Sequence, residues 1–236
     1  LGEALSGNIV LTTKAGTNDF HGSFTVESSQ KSGDEPFGEK TDQPDPDTEL
    51  FSFTFNGPII KDKLFFSLGY EKYEASDPIS LLGFQSGSVT KAEADAVIKA
   101  ATDVIGYDAG TYNKAREEED EKTFLRLDAN LSENHNLTFS YNLTEGFTES
   151  AYFNRTWGLP LSSNWYRINK EYESMKLELN SNWTDNFSTK ILISDTDVSN
   201  PNTPVGATTI GEVGIRVASG GTVFFGPDQY RHANQI

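Results

Sequence analysis

Residues 50–73 constrain the fold more than any other stretch of this chain. From 50 to 59 the residues Phe51, Phe53 and Phe55 alternate with Ser52, Thr54 and Asn56. A second segment, 64–73, comes after the tight Ile60-Lys61-Asp62-Lys63 connection. A period of two is what a strand with one apolar face requires, so the stretch predicts an amphipathic β-hairpin. The design returns twice. Leu125, Leu127, Ala129 and Leu131 alternate with Arg126, Asp128 and Asn130. The chain then turns at Ser132-Glu133-Asn134-His135 and returns with Leu137, Phe139, Tyr141 and Leu143 on one face and Thr138, Ser140 and Asn142 on the other. In the third copy Met175, Leu177 and Leu179 oppose Lys176, Glu178 and Asn180, and Thr184-Asp185-Asn186 leads into Phe187, Thr189, Ile191 and Ile193, where Leu192 interrupts the polar face. Very short connections alternate with very long ones, which predicts an all-β, antiparallel barrel wall.

Such a wall suits a bilayer. A barrel strand crosses with about 9–11 residues that face lipid and lumen in turn, and these segments have that length. A mean hydropathy of −0.50 is compatible with this, because half of every strand is polar. No run approaches the ~18 apolar residues of a spanning helix. Phe55, Phe65, Trp183 and Phe187 beside the short turns, and Tyr70 and Tyr73 towards the far end, are placed as rings at a membrane boundary would be. With 36% hydrophobic and 12% aromatic residues among 236, the chain is too apolar for disorder.

Charge excludes other classes. The net charge of −16 comes from 35 acidic against 19 basic residues, and nucleic acid is excluded as a partner because its phosphates need a basic stripe. Asp34, Glu35, Glu39, Asp42, Asp45, Asp47 and Glu49 crowd one long connection, and Glu117, Glu118, Glu119, Asp120 and Glu121 end another. Both runs read first as solvated loops; the lesser reading is a divalent-cation site, although no spacing matches a defined calcium loop. Cysteine is absent, which removes disulfides and thiolate metal sites. Leu1 opens without a charged leader or an apolar core segment, as a mature or internal segment would.

The long connections span 30–49, 75–120, 145–170 and everything after Thr196. Loops of that length bind something or carry structure of their own. In one, Thr90-Lys91-Ala92-Glu93 is a capping box that opens a short helix from Ala94 to Ile105, ending at Gly106. Val97, Ile98, Ala101, Val104 and Ile105 form its apolar stripe. Another concentrates Tyr152, Phe153, Trp157, Trp165 and Tyr166. Exposed, these rings are a binding surface; buried, they are the small core that orders the loop.

Catalytic patterns are missing. His21, His135 and His232 stand in separate turn-like or terminal contexts, and there is no zinc-protease spacing, nucleophile elbow, Walker loop or dinucleotide fingerprint. Asp195-Thr196-Asp197 reads as a solvated strand end. Asp128 and Glu178 on facing strands imitate a glycosidase pair, but polar lumen-facing residues explain them more simply. No enzyme, cofactor or metal is expected.

The stretch Ser6-Gly7-Asn8-Ile9-Val10-Leu11-Thr12-Thr13-Lys14-Ala15-Gly16-Thr17-Asn18-Asp19-Phe20-His21-Gly22-Ser23 resembles the end of the plug and the first wall strand of TonB-dependent outer-membrane receptors, specifically the Oar-like branch. Asn56-Gly57-Pro58-Ile59-Ile60-Lys61-Asp62-Lys63-Leu64-Phe65-Phe66 with Tyr70-Glu71 resembles that branch's second and third wall strands. Arg126-Leu127-Asp128 with Leu137-Thr138-Phe139-Ser140-Tyr141 is similar to its next hairpin, and Phe225-Gly226-Pro227-Asp228 with Ala233-Asn234 to the approach to a further strand. Ser6 and Asn56 stand where glycine is common. Physical reasons accompany the residues: Gly16-Thr17-Asn18 suits a sharp corner, and Gly57-Pro58 suits a strand terminus.

The resemblance implies that residues 1–18 end a plug domain and 19–236 form the first part of a transmembrane β-barrel with extracellular loops. About seven wall strands, against the family's roughly twenty-two, imply a fragment. The implied function is uptake of a bulky peptide, protein or glycan across the outer membrane of a Gram-negative bacterium, energised by the proton motive force through TonB. TonB would be engaged by the missing amino-terminal part, and lipid or lipopolysaccharide would surround the wall. Trp157, Trp165 and Tyr166 are the expected ligand contacts, as rigid rings. The alternative is a secreted all-β binding module or adhesin whose apolar faces meet a second sheet, and a β-rich hydrolase ranks third.

Overall fold

The computed structural model of the protein describes residues 17–30 and 46–228. Seven long strands form its wall: β1 (His21–Gln30), β2 (Asp47–Ile60), β3 (Leu64–Asp77), β4 (Arg116–Ser132), β5 (His135–Ser150), β7 (Tyr166–Thr184) and β8 (Phe187–Ser199), with a short β6 (Gly158–Pro160) intervening in the chain. They lie side by side in the order β1-β2-β3-β4-β5-β7-β8, every neighbour antiparallel. This is a meander in which short turns after β2, β4 and β7 alternate with long excursions. Among the described residues β1 pairs only with β2, and β8 only with β7, so the wall is not closed.

Register places the apolar alternation on one face. Phe53 lies opposite Phe24 and Tyr70; two rows on along the same face, Phe66, Leu127, Phe139, Leu177 and Ile193 succeed one another across five strands. No second layer covers this row: Phe53 keeps 36% and Leu177 40% of their surface exposed. An apolar sheet face this wide is an aggregation surface in water and the ordinary exterior of a wall in hydrocarbon. The opposite face is a polar ladder. Arg126 donates from Nε and Nη2 to the two oxygens of Asp128, both at 2.8 Å. Thr138 Oγ1 donates to Asp128 at 2.8 Å, and Lys190 meets Glu178 at 2.8 Å. Asp128 and Glu178 are thus each held by a cation of their own.

Several expectations are corrected. The strands run well past their apolar segments, so Glu117–Glu121 belongs to β4 and not to a loop; likewise Asp195-Thr196-Asp197 lies inside β8. The ladder is made of backbone groups and continues wherever a neighbouring strand is present, whereas the alternation of side chains stops where the apolar band stops. Phe65 and Tyr73 sit on the face opposite to Phe53: Phe65 pairs with Pro58 and Asp128, Tyr73 with Leu50 and Asp120, and Phe65 is buried. Phe225 ends a short strand away from the wall, and the further wall strand expected after it lies outside the described residues. Residues 6–16 of the first matching stretch, Asp34, Glu35, Glu39, Asp42, Asp45, His232 and Ala233-Asn234 lie outside the described residues.

The corner before β1 is bound to the first short turn. Asn18 Nδ2 donates to Asp62 Oδ1 at 2.5 Å, and the backbone N–H of Asp62 donates to Asn18 Oδ1 at 2.8 Å. Asp62 occupies the left-handed region, φ 61°, which an aspartate tolerates better than most residues. Above this clamp the Phe20 ring stacks on Phe55 at 5.8 Å and 8° and lies directly over Gly57, where a Cβ would stand 2.2 Å from a ring carbon. A side chain at this position would have to displace the Phe20 ring, which occupies the space a Cβ would take.

Candidate functional site

The excursions after β3, β5 and β8 do not hang as separate loops. Residues between β3 and β4 supply helices α1 (Leu82–Gln85) and α2 (Lys91–Ile105). Those between β5 and β7 supply β6, and those after β8 supply β9 (Asn202–Pro204), β10 (Val213–Arg216) and β11 (Thr222–Phe225). β11 pairs parallel with β6 and antiparallel with β10; β9 adds to the start of β7. All three excursions feed one core, in which Leu81, Val89, Val97 and Tyr107 meet Leu159 and Leu161 and then Val223 and Phe225. A folded cap therefore sits at the long-loop end of the wall.

Helix α2 forms as its sequence demands. The Glu93 N–H donates to Thr90 Oγ1 at 3.3 Å while the Thr90 N–H donates to Glu93 Oε2 at 2.9 Å, so both partners of the capping box satisfy free helix-end donors. Gly106 closes the helix at φ 65°. Ala94, Val97 and Ala101 are buried and Ile98 packs beside them, but Val104 and Ile105 are exposed, because the last turn has no element to cover it. Glu93 also reaches the third excursion: its Oε1 accepts from the Ser219 N–H at 2.9 Å and from Ser219 Oγ at 3.1 Å. Backbone donors at Thr90 and then Ser219 hold its carboxyl down to about 2.

A buried carboxylate joins cap to wall. Glu149, near the end of β5, has no exposed surface. Its Oε2 takes Lys114 Nζ at 2.6 Å and the Glu117 N–H at 3.2 Å; its Oε1 takes Arg167 Nε and Nη2, each at 3.3 Å. Lys114 in turn lies over the Trp165 ring at 5.5 Å, and Arg167 over Phe147 at 4.0 Å. Three strands and the floor of the cap meet at this one group.

This arrangement separates the three aromatic residues expected to touch a ligand. Trp165 is 0% exposed, its indole N–H directed to Pro160 O at 3.4 Å, and Tyr166 is 3% exposed; both are packing elements under the cap and offer a ligand no surface. Trp157 is 50% exposed. Tyr152 joins it at the surface and Phe153 lies between, 5.2 Å from Tyr152 and 6.3 Å from Trp157. Sequence periodicity could not divide these five rings, since the division depends on which excursion lies over which. Among the described residues no group of three or more His, Asp or Glu side chains is placed to hold a metal ion. Two hollows flank acidic strand ends, about 310 Å³ beside Val26, Glu49, Phe51 and Lys72 and about 230 Å³ beside Glu74, Glu117, Glu119 and Phe147.

A protein family described as outer membrane beta barrel domain matches residues 12–85, the stretch holding β1, β2, β3 and α1. No curated protein and no solved structure gives a match. The family match, on strands whose apolar face is uncovered and whose other face is a polar ladder, supports an outer-membrane β-barrel protein.

Proposed function

We propose that this chain is the wall-and-cap portion of an Oar-like TonB-dependent transporter. In this reading it takes up a bulky peptide, protein or glycan across the outer membrane of a Gram-negative bacterium, with the cap outside the cell and the short turns in the periplasm. The observation that carries the reading is the joining of three long excursions into one folded cap at a single end of the wall, opposite the clamped corner at Asn18 and Asp62. A wall that only anchored would have no need of a structured roof, whereas a receptor requires a rigid surface to recognise its ligand. The corner before β1 supports it too, because a segment leaving the barrel interior must be fixed where it joins the wall. The polar ladder on the inner face suits a filled or water-lined lumen. Energy is supplied through TonB, engaged by a segment ahead of the wall. The chain performs no catalysis and carries no cofactor.

Uptake measured in cells with and without TonB tests the coupling, and TonB-independent uptake overturns it. Orientation in the membrane is tested with lysines: Leu177→Lys, in the apolar band, lowers stability in the bilayer by about 2–4 kcal/mol, whereas Ser140→Lys on the polar face leaves assembly intact. Equal effects would place both faces in the same solvent and remove the barrel orientation.

A further inference from the structure

We propose that Tyr152, Arg155 and Trp157 form a ledge on the cap that binds an anionic saccharide, a sugar unit bearing a carboxylate, such as the uronic acid of a polysaccharide. This deepens the uptake reading by naming the ligand's chemistry, and it rests on that reading only for the steps after binding.

The ledge is built rigidly. Asn154 holds the first excursion at two points, its Nδ2 donating to Ser80 O at 2.7 Å and its Oδ1 accepting from the Leu82 N–H at 3.1 Å. Thr156 O accepts from both Ser86 Oγ and Ser88 Oγ at 2.5 Å, Trp157 O accepts from the Thr222 N–H at 2.9 Å, and the Gly158 N–H closes the hairpin onto Arg155 O at 3.0 Å. Below, Phe153 stacks on the buried Phe224 at 4.2 Å and 11°, and Trp157 sets its edge against the same ring at 5.9 Å. Backbone and rings are therefore fixed from three excursions while Tyr152, 41% exposed, and Trp157 face outward. Preorganised aromatic area of this kind lowers the ordering cost of binding.

Arg155 supplies the specificity. Its guanidinium lies 5.2 Å from the Tyr152 ring, and its hydrogen bond is a long one to Asn154 O, 3.4 Å. Among the described residues it has no carboxylate ion pair, a lack it shares with the exposed Arg216 of β10, whereas Arg116, Arg126 and Arg167 each have one. In a chain with 35 acidic and 19 basic residues, an exposed and unmatched guanidinium beside the exposed Tyr152 ring, two residues from Trp157, is suited to an anion from outside. A planar fork of donors fits a carboxylate in two places, and the C–H face of a pyranose fits the Trp157 indole, whose N–H has no acceptor among the described residues and is available to a hydroxyl. The chain's acidic groups beyond about 8 Å are screened at physiological salt, so the local cation decides.

The test uses the protein in detergent micelles, with affinity electrophoresis against polygalacturonate and alginate, and against methyl-esterified polygalacturonate and dextran as uncharged counterparts. Binding to an acidic polymer is expected to exceed binding to the uncharged ones. Trp157→Ala is expected to weaken it about tenfold or more, and Arg155→Gln to erase the difference between acid and ester. Unchanged hydrogen exchange in the cap establishes that each variant is folded. Binding to neither acid polymer, equal binding of acid and ester by the unaltered protein, or full binding by Trp157→Ala overturns the proposal. If the acid polymer binds and cells do not import it, transport falls and the ledge stands. If cells import polygalacturonate at full rate through a variant lacking both side chains, the ledge falls and transport stands.

Discussion

Asn18 and Asp62, 44 residues apart in the chain, clasp each other through two hydrogen bonds, side chain to side chain at 2.5 Å and backbone to side chain at 2.8 Å. The contact unites two stretches that the sequence marks separately, the corner ahead of β1 and the turn between β2 and β3. Asn130 adds to it by donating from Nδ2 to Asp62 O at 2.9 Å.

Asn18→Ala removes both bonds of the clasp from exposed groups, and a loss of about 1 kcal/mol is expected. Asp62→Ala is expected to cost about 2 kcal/mol, because a residue at φ 61° without a polar side chain adds left-handed strain to the lost bond. Asp62→Gly should fall between wild type and alanine, since glycine relieves the strain. Thermal unfolding in micelles orders the three; a glycine variant no better than alanine would show that strain contributes nothing.

Phe20 and Gly57 form a matched pair. Gly57→Val puts a branched side chain where the Phe20 ring lies, and a destabilisation of about 1–3 kcal/mol is expected from overpacking. Phe20→Ala frees the space, so the double variant is expected to lose less than the sum of the single ones. Additive losses would mean that the ring does not occupy the glycine's space in solution.

At the cap's floor the order of costs is set by exposure. Glu149→Gln leaves Lys114 and Arg167, which are partly exposed, free to turn to water, and a loss of about 1–2 kcal/mol is expected. Removing both cations, as Lys114→Met with Arg167→Met, strands a fully buried carboxylate and is expected to cost about 3–5 kcal/mol. Limited proteolysis of the excursions reads both, and the reverse order would refute burial as the deciding factor.

Acid loosens the cap through Glu93. Its carboxyl is depressed to about 2 from an ordinary 4.5, so the stabilisation is complete above pH 4.5 and is lost as pH falls towards 2. Hydrogen exchange at the start of α2 and around Ser219 should rise over that window. In Glu93→Gln the rise should be absent. A rise of equal size in that variant would assign the effect to other carboxylates.

The wall was legible because its physics is local. Phe51, Phe53 and Phe55, or Leu137, Phe139 and Tyr141, announce a two-faced strand within a few residues, and six of the seven long wall strands come from counting such segments, with β1 coming from the resemblance instead. Thr90 and Glu93 announced α2 in the same way. Where the signal failed, the deciding partner was distant. Glu117–Glu121 carries no apolar alternation, and it is strand because β3 and β5 flank it. Phe65 has the composition of a boundary ring, but register turns it to the other face.

Sequence alone therefore determined the strands, their apolar face and the capped helix, since each depends on side-chain periodicity or on a hydrogen bond three residues away. Tertiary structure alone decided that three excursions share one core, that Trp165 is sealed while Trp157 is open, and that Glu149 is buried between two cations. Those outcomes depend on which segments meet across 18 or more residues of chain, and in the shared core across far more, and no local pattern encodes a meeting of that range.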